Sequence, residues 1–188
     1  MSDLTESWGL PSTRWRNNRG REPNVSNTLG GGARVATVFM RDAKGDDASA
    51  ITVLSGQLGY ATSTGEVEAN LRAIADSPRH RVIVACRDDD SVVGWIHVLI
   101  SLRVASRPFG ELGGFVVDES NRGRGIGRLL LGAAEEWAML KGVDSLRVRS
   151  RSNRTDSHAF FQRAGFALTK DQLVFDRSFR LDVSNEEA

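Results

Sequence analysis

Residues 121–128, NRGRGIGR, combine three glycines at every second position with three arginines. A tight turn needs one or two glycines, so this spacing indicates a main chain kept bare for the close approach of a ligand. An apolar-striped segment follows at once, and a helix that begins there presents unpaired N–H groups and the positive end of its dipole. We therefore predict a loop that binds a phosphate group through main-chain N–H groups, with cationic side chains nearby.

The segment after this loop has the pattern of the helix that such a site needs. From about residue 126, apolar residues recur at three- and four-residue spacing, which predicts a helix with one buried face. These residues are Ile126, Leu129, Leu130, Ala133, Ala134, Trp137 and Ala138. Gly142 is placed to end the helix, and residues 111–118 before the loop have the pattern of a strand.

Two other classes of nucleotide-binding protein fit the loop less well. The P-loop pattern G-x-x-x-x-G-K-[ST] is absent, and the glycines follow G-x-G-x-G, whereas dinucleotide-binding loops follow G-x-G-x-x-G. The arginines of residues 147–154, RVRSRSNR, could hold a 2′-phosphate, so an NADP-binding oxidoreductase stays an alternative. Only one strand–helix–strand unit surrounds the loop, however, and a dinucleotide fold needs two halves.

The composition bounds the class of protein. The chain has 188 residues, of which 40% are hydrophobic and 26% charged, and its formal net charge is +1. This size suits one domain with a substantial core, and the balanced charge provides no basic field for nucleic-acid binding. Cys86 is the only cysteine, and its apolar surroundings predict a buried packing thiol, which fits a reducing compartment. The sequence has no run of about 20 apolar residues and no signal-like start, so we expect a cytoplasmic protein that binds no membrane, metal or nucleic acid.

The order of predicted elements indicates the fold class. Residues 1–33 are rich in Arg, Asn and Gly, which predicts a flexible leader before one domain over residues 34–188. Hydrophobic periodicity predicts the order β-α-α-β-β-β-α-β-α-β. The predicted strands are residues 33–40, 81–86, 92–101, 111–118, 145–150 and 172–179, and the predicted helices are residues 46–59 and 65–76, a segment from about 126, and residues 156–165. We expect an α/β (α+β) fold with a mixed sheet and helices on both faces.

Residues 111–131, ELGGFVVDESNRGRGIGRLLL, closely resemble the acetyl-CoA-binding core of the GNAT acetyltransferase superfamily. The pattern [QR]-x-x-G-x-[GA] of that core is matched by Arg122, Gly125 and Gly127. Residues 158–166, HAFFQRAGF, resemble the second signature of the superfamily, and the whole resemblance covers roughly residues 34–179. The segments LSGQLGYATS and VVGWIHV resemble a bacterial subgroup of aminoglycoside 6′-N-acetyltransferase-like proteins.

The resemblance implies a GNAT-type, largely antiparallel sheet and the transfer of an acetyl group from acetyl-CoA to an amine, which attacks the thioester directly. It also implies that the coenzyme lies along the strand before the loop, where a main-chain N–H group polarises the thioester carbonyl. The implied coenzyme-binding residues are Phe115, Val116, Val117, Arg122, Gly123, Arg124, Gly125, Ile126, Gly127, Arg128, Asn153, Arg154 and Phe161.

Phe161 departs from the superfamily pattern, which usually has a tyrosine there as the proposed acid for the leaving thiolate. For a thiol of pKa about 8.5, protonation of the leaving thiolate near neutral pH contributes about 2 kcal/mol at most. Solvent or the product ammonium could therefore supply this proton. The loss leaves open an alternative function, a GNAT-fold module that binds acyl-CoA without turnover. The usual asparagine seven residues earlier falls at Arg154, beside Asn153.

Two residues are candidates for taking a proton from the acceptor amine, which is mostly protonated at pH 7 if its pKa is about 10.4. Glu111 begins the strand before the loop, where many relatives carry a glutamate that faces the acceptor cleft, and it would act through water. An ion pair or a surface position is the alternative for this glutamate. His97 lies in the apolar strand WIHV, and a core histidine with satisfied hydrogen bonds is its alternative. Three alternating arginines at 147, 149 and 151 receive no role in the site.

The acceptor stays open between an aminoglycoside, a polyamine, an amino acid and a protein amine. Acidic residues near the early helices could attract a polycation, although charged helix ends occur on any soluble protein. They are Asp42, Asp46, Asp47, Glu66 and Glu68. The resemblance also leaves open a homodimer, formed through the terminal strand or the leader.

Overall fold

In the computed structural model, residues 38–179 are described, so the predicted leader over residues 1–33 lies outside the described part of the chain. The described residues divide into a first unit, which ends at Arg149, and a second unit, which begins at Ser150. No helix in the described residues is long and apolar enough to cross a membrane.

The first unit holds five strands and three helices. The strands are β1 (Val38–Asp42), β2 (His80–Arg87), β3 (Val92–Arg103), β4 (Ser106–Val117) and β5 (Leu146–Val148), and the helices are α1 (Ala48–Gln57), α2 (Thr64–Ala75) and α3 (Ile126–Leu140). The sheet follows the order β1-β2-β3-β4-β5. Neighbours from β1 to β4 pair antiparallel, and β5 pairs parallel to β4. The prediction of a mixed, largely antiparallel sheet is confirmed.

Local sequence signals explain where several elements begin and end. Ser63 accepts a hydrogen bond from the N–H of Glu66, and the Glu66 carboxylate accepts one from the Ser63 N–H, so a reciprocal capping box starts α2. The turn between β2 and β3 lies in residues 87–91, RDDDS, and contains Asp90 at φ 63°, a conformation that Asp tolerates in short turns. Gly142, at φ 79°, follows the end of α3 as predicted.

Helices cover both faces of the sheet, as predicted. Trp95 packs against the core cluster that α1 and α2 form with Val84 and Cys86. The neighbouring Gly94 faces the other way, because a Cβ added there would lie 3.2 Å from the Leu130 side chain of α3. We call the face that carries Trp95 the front face. Cys86 is fully buried, and this burial raises the pKa of its thiol to about 12, so the prediction of a packing thiol is confirmed.

The buried stripe of α3 differs from the predicted one at two positions. Leu129 is 40% exposed, whereas Leu131, which the pattern did not include, is 3% exposed. A helix turns about 100° per residue, which places Leu129 beyond the edge of the stripe centred near Leu130 and Ala134. The other six predicted positions are buried.

The second unit contains one helix, α4 (Thr155–Arg163), followed by Gly165 at φ 91°. The predicted strand over residues 172–179 is wrong, because these residues form neither helix nor strand. A strand needs a ladder partner for its N–H and C=O groups, and no strand in the described residues pairs with this segment. Its apolar residues Leu173, Val174, Phe175 and Phe179 are exposed. A homodimer formed through this segment stays a prediction.

Candidate functional site

The glycine loop presents a row of bare main-chain N–H groups at the start of α3. Gly123 at φ 75° and Gly125 at φ 81° adopt the left-handed region, where a side chain is strained. Gly125 accepts hydrogen bonds from the N–H groups of Arg128 and Leu129. In the part of the chain that the structure describes, the N–H groups of residues 123–127 donate to no protein acceptor. Five consecutive donors at a helix N-terminus form a suitable cradle for an anion.

The arginines of the loop have two different arrangements. Arg122 turns back, and its Nε donates to the carbonyl of Val117 at 3.1 Å, which fastens the loop to the end of β4. Arg124, between Gly123 and Gly125, and Arg128, after Gly127, are exposed. Arg122 therefore shapes the loop in this structure, and the other two supply positive charge at its surface.

A hydrogen-bonded cluster holds the start of the loop in place. Gln57, at the end of α1, donates to the Asp118 carboxylate at 3.0 Å and accepts from the N–H of Glu119 at 3.1 Å. Asp118 also accepts hydrogen bonds from Ser120 and Asn121. These donors lower the pKa of Asp118 to about 2, so its carboxylate is ionised near neutral pH. The loop is thus tied to both α1 and β4.

A bulge interrupts β4 in front of the loop. His97 pairs with Gly114 and Val98 pairs with Leu112, so Gly113 is an extra residue in β4. A Cβ added at Gly113 would lie 2.8 Å from His97 Nδ1, and one added at Gly114 would lie 2.5 Å from Trp95 Cζ3. Two adjacent glycines therefore allow an imidazole and an indole to lie directly against the main chain of β4 on the front face.

The strand continues beyond its parallel neighbour. The ladder between β4 and β5 covers residues 110–112, whereas β4 runs on to Val117. Phe115, Val116 and Val117, the predicted pantetheine contacts, all lie past the end of that ladder. Beyond this point β4 has no ladder partner on the β5 side among the described residues, and the coenzyme contacts there stay a prediction.

Glu111 is buried and doubly ion-paired. Its carboxylate accepts from Arg149 and lies 3.5 Å from Arg103 Nη2, and the residue is 8% exposed. It pairs across the sheet with Leu99, which places both side chains on the front face together with His97. The structure thus gives Glu111 the ion-pair role that the sequence left as an alternative. Its action as a base stays a prediction.

His97 is half-buried and paired with a second imidazole. Its Nε2 lies 3.1 Å from Nδ1 of His80 in β2, and the two rings stack at a centroid distance of 5.3 Å. Partial burial and the neighbouring His80 lower the pKa of His97 to about 4. His97 is therefore neutral near pH 7, and its lowered pKa makes it a weaker base than a free imidazole.

Sequence reasoning missed several residues of this region. His80, Arg103 and Arg149 received no role, because each reaches the site through pairing between distant strands. The alternating arginines after α3 were the available signal for Arg149, since a strand parallel to β4 brings one of them beside Glu111. Trp95 Nε1 is buried and has no hydrogen-bond partner among residues 38–179.

The remaining predicted coenzyme contacts lie in the second unit. Arg154 caps α4 and accepts from the N–H of His158, and Asn153 is exposed beside it. Phe161 is 8% exposed and packs edge-on against Phe160 and Phe166. Its ring provides packing and carries no acidic proton.

Four of the five acidic residues suggested as attractors for a polycation have partners within this chain, and the attraction of a polycation stays a prediction. Asp47 is buried against Arg41, Asp42 binds Arg81 and Glu68 binds Arg72, while Glu66 caps α2. No group of three or more His, Cys, Asp or Glu residues suited to a metal ion occurs within residues 38–179.

A strand that runs past the end of its parallel neighbour and leads into a bare helix N-terminus can bind an extended ligand that carries a phosphate group. Residues 51–166 match the model of the acetyltransferase (GNAT) family. The chain belongs to this family. It is an N-acetyltransferase that uses acetyl-CoA, and no observation favours the non-catalytic or the NADP-binding alternative.

Known proteins with similar sequences and structures include several acetyltransferases. An aminoglycoside N(6′)-acetyltransferase type 1 of Stenotrophomonas maltophilia is 30% identical over 143 residues, which cover 68% of this chain and 94% of that relative. The structure of AAC(6′)-Iy with a bisubstrate analog, CoA-S-monomethyl-acetylneamine, is similar with a TM-score of 0.68 and 20% identity, over 77% of this chain and 100% of that one. Glucosamine-6-phosphate N-acetyltransferase from Arabidopsis thaliana has a TM-score of 0.66 and 17% identity, over 76% of this chain and 99% of that one. These structural neighbours share the fold.

Proposed function

We propose that this protein acetylates the 6′-amine of an aminoglycoside in the bacterial cytoplasm, where acetyl-CoA is made. The observation that carries the proposal is the 30% identity to an aminoglycoside N(6′)-acetyltransferase over 94% of that relative. The fold alone does not select the acceptor, because a glucosamine-6-phosphate N-acetyltransferase shares it.

The coenzyme is held by the glycine loop in this proposal. The N–H groups of residues 123–127 bind the pyrophosphate, and the exposed Arg124 and Arg128 add positive charge around it. Each helix-terminus contact contributes about 0.3–1 kcal/mol, so several donors acting together are needed for useful affinity. Arg122 keeps the loop in the required shape through its bond to Val117.

The thioester then lies along β4, beyond the end of the β4–β5 ladder. A main-chain N–H group in residues 115–117 polarises the thioester carbonyl, because charge that develops on that oxygen is stabilised by a fixed donor. Gly113 of the bulge is exposed, and His97 Nδ1 lies next to it. This exposed position is where we place the acceptor amine.

The reaction requires a neutral amine. The ammonium loses one proton, its nitrogen attacks the thioester carbon, the C–S bond breaks, and a second nitrogen proton is transferred to the leaving sulfur directly or through water. His97 is the base that the geometry favours, since its Nδ1 faces Gly113 and the ring is neutral near pH 7. Glu111 holds Arg103 and Arg149 on the same face through its two ion pairs.

Thiol release from acetyl-CoA tests the acceptor class. We expect turnover with an aminoglycoside that carries a 6′-amine, and turnover at least about tenfold slower with a linear polyamine or a lysine-containing peptide. Equal or faster turnover with the polyamine or the peptide would contradict the proposed acceptor while leaving the acetyltransferase activity intact.

A further inference from the structure

The pairing of His80 with His97 connects the β4 bulge to a cavity on the other side of the pair. His97 Nδ1 is directed toward Gly113, and its Nε2 is engaged by His80 Nδ1 at 3.1 Å. His80 is half-buried and lines a cavity of about 280 Å³, together with Asp42, Arg81 and Trp137. Two imidazoles thus lie in series between the open main chain of β4 and this cavity.

We propose that His80 is a positioning residue and proton relay for the transfer reaction, which keeps His97 Nδ1 free toward the acceptor amine and receives the proton that His97 gives up. This inference rests on the proposed position of the amine beside the bulge. In the step, one N–H bond of the ammonium breaks and its proton binds His97 Nδ1. As it arrives, the proton on His97 Nε2 moves to His80 Nδ1, and His80 passes one proton to solvent through the cavity.

The surroundings of His97 explain why a relay is needed. A charge on this half-buried ring is opposed by its loss of hydration, so a proton that stayed there would raise the barrier. His80 from β2 is the titratable group that acts on His97, and Glu111 on β4 shares the front face with its charge paired to Arg103 and Arg149. Passing the proton on to His80 moves the positive charge out to the cavity.

Hydrogen bonding to His80 also selects the tautomer of His97. When Nε2–H of His97 donates to His80 Nδ1, its own Nδ1 has a free lone pair directed at the bulge. The opposite arrangement, with His80 Nδ1–H as the donor, places the His97 proton on Nδ1, where it blocks acceptance from the amine. The relay therefore requires the first arrangement before the amine reacts.

Two substitutions separate the functions of the His80 ring. His80→Asn retains an oxygen acceptor near the Nδ1 position, which holds the tautomer of His97 but cannot take its proton. His80→Phe retains a stacked ring and removes both functions. We expect kcat to fall about tenfold or more in both variants, because acid–base assistance contributes about 10²–10⁴-fold, while the KM for acetyl-CoA changes less than about twofold.

Gly132→Ala in α3 is the control, since nothing lies within 4 Å of its added methyl group and the residue has no part in the proposed site. We expect its kcat to equal that of the unaltered protein. A folded His80→Phe variant with unchanged kcat between about pH 6 and 9 would overturn the proposal.

Nitrogen NMR of the histidine rings gives a second readout that needs no acceptor. At neutral pH we expect His97 with the proton on Nε2, and His80→Asn should retain this state. Observation of the Nδ1–H tautomer in the unaltered protein would overturn the proposal even if the His80 variants failed to fold. If aminoglycosides are not acetylated but another amine is, the proposed acceptor fails, and the His80 variants are then measured with that amine.

Discussion

The two glycines of the β4 bulge provide the sharpest test of the site geometry. Gly114→Ala adds one methyl group where the Trp95 ring lies, at 2.5 Å from its Cζ3 atom. Packed carbon atoms keep about 3.5–4.0 Å between them, so the new methyl lies about 1 Å too close. The ring cannot simply move away, because Trp95 packs against the core of α1 and α2.

The expected cost follows from this overlap. Overpacking of a closed core by one methyl group costs about 1–3 kcal/mol, and the overlap with a fixed indole places Gly114→Ala near 3 kcal/mol. For a chain of this size, 1 kcal/mol lowers Tm by about 2–4 °C, so we expect a decrease of about 6–12 °C. Gly113→Ala meets the edge of the His97 ring and, at 3.2 Å, the Leu99 side chain. We expect the imidazole to turn at a cost of about 1 kcal/mol, and this movement breaks its bond with His80.

Thermal unfolding and thiol release, measured on the same preparations, check the predicted changes in stability and in activity. Gly132→Ala in α3 is the matched control, since nothing lies within 4 Å of its added methyl and α3 is a helix. The free energy of unfolding of this variant should be about 0.5–1 kcal/mol higher than that of the unaltered protein. Gly113→Ala should lose kcat with only a small decrease in Tm. A Gly114→Ala variant as stable as Gly132→Ala would refute the bulge geometry.

Three further predictions concern the loop and the two candidate proton acceptors. Gly125→Ala places a side chain at φ 81°, and holding the loop in this conformation then costs about 1–2 kcal/mol. Titration calorimetry should therefore show acetyl-CoA binding weakened about 5–30-fold. Unchanged affinity would contradict binding of the pyrophosphate by the N–H groups of the loop. Lowering the pH from 6.5 to 4 should destabilise the protein, because the unfolded chain takes up a proton on His97 that the folded one resists. A pKa lowered from 6.5 to about 4 changes the free energy of unfolding by about 3 kcal/mol at most, and partial exposure to solvent reduces this to about 2 kcal/mol. In urea unfolding, the stability of His97→Phe should lack this part of the pH dependence. Glu111→Gln should lower the free energy of unfolding by about 1–2 kcal/mol, since Arg103 and Arg149 then lack their carboxylate partner. Adding Arg149→Gln should restore part of that loss. Additive losses in chemical unfolding would disprove the coupling between these residues.

Much of the fold could be predicted from local sequence patterns. The period of the apolar residues predicted α3 and its start at Ile126, and the hairpin and the capped α2 also follow from neighbouring residues. Leu129 was misassigned because its position at the margin of the stripe depends on how α3 is rotated against the sheet. The terminal strand was misassigned because alternation indicates that a segment can pair, whereas a strand also needs a partner with a free edge.

The candidate site was less accessible to sequence reasoning, for a physical reason. The glycine loop is continuous in the chain, so its residue types and spacing predict a bare helix N-terminus directly. Contacts between Glu111 and Arg149, or between His80 and His97, depend on strand register and on a one-residue bulge at Gly113. A shift of one residue turns every side chain of a strand to the opposite face, and no local pattern in the sequence specifies that shift.

The reaction we propose for this protein is transfer of an acetyl group from acetyl-CoA to the 6′-amine of an aminoglycoside. Its most direct test is thiol release with two substrates that differ at one position, an aminoglycoside with a 6′-amine and the analogue with a 6′-hydroxyl, followed by mass spectrometry of the products. We predict one added acetyl group on the 6′-nitrogen of the first and turnover at least about 100-fold slower with the second, since a hydroxyl is a far weaker nucleophile and a site that binds an ammonium rejects it. Equal turnover of the two substrates, or acetylation at another amine, would contradict the account.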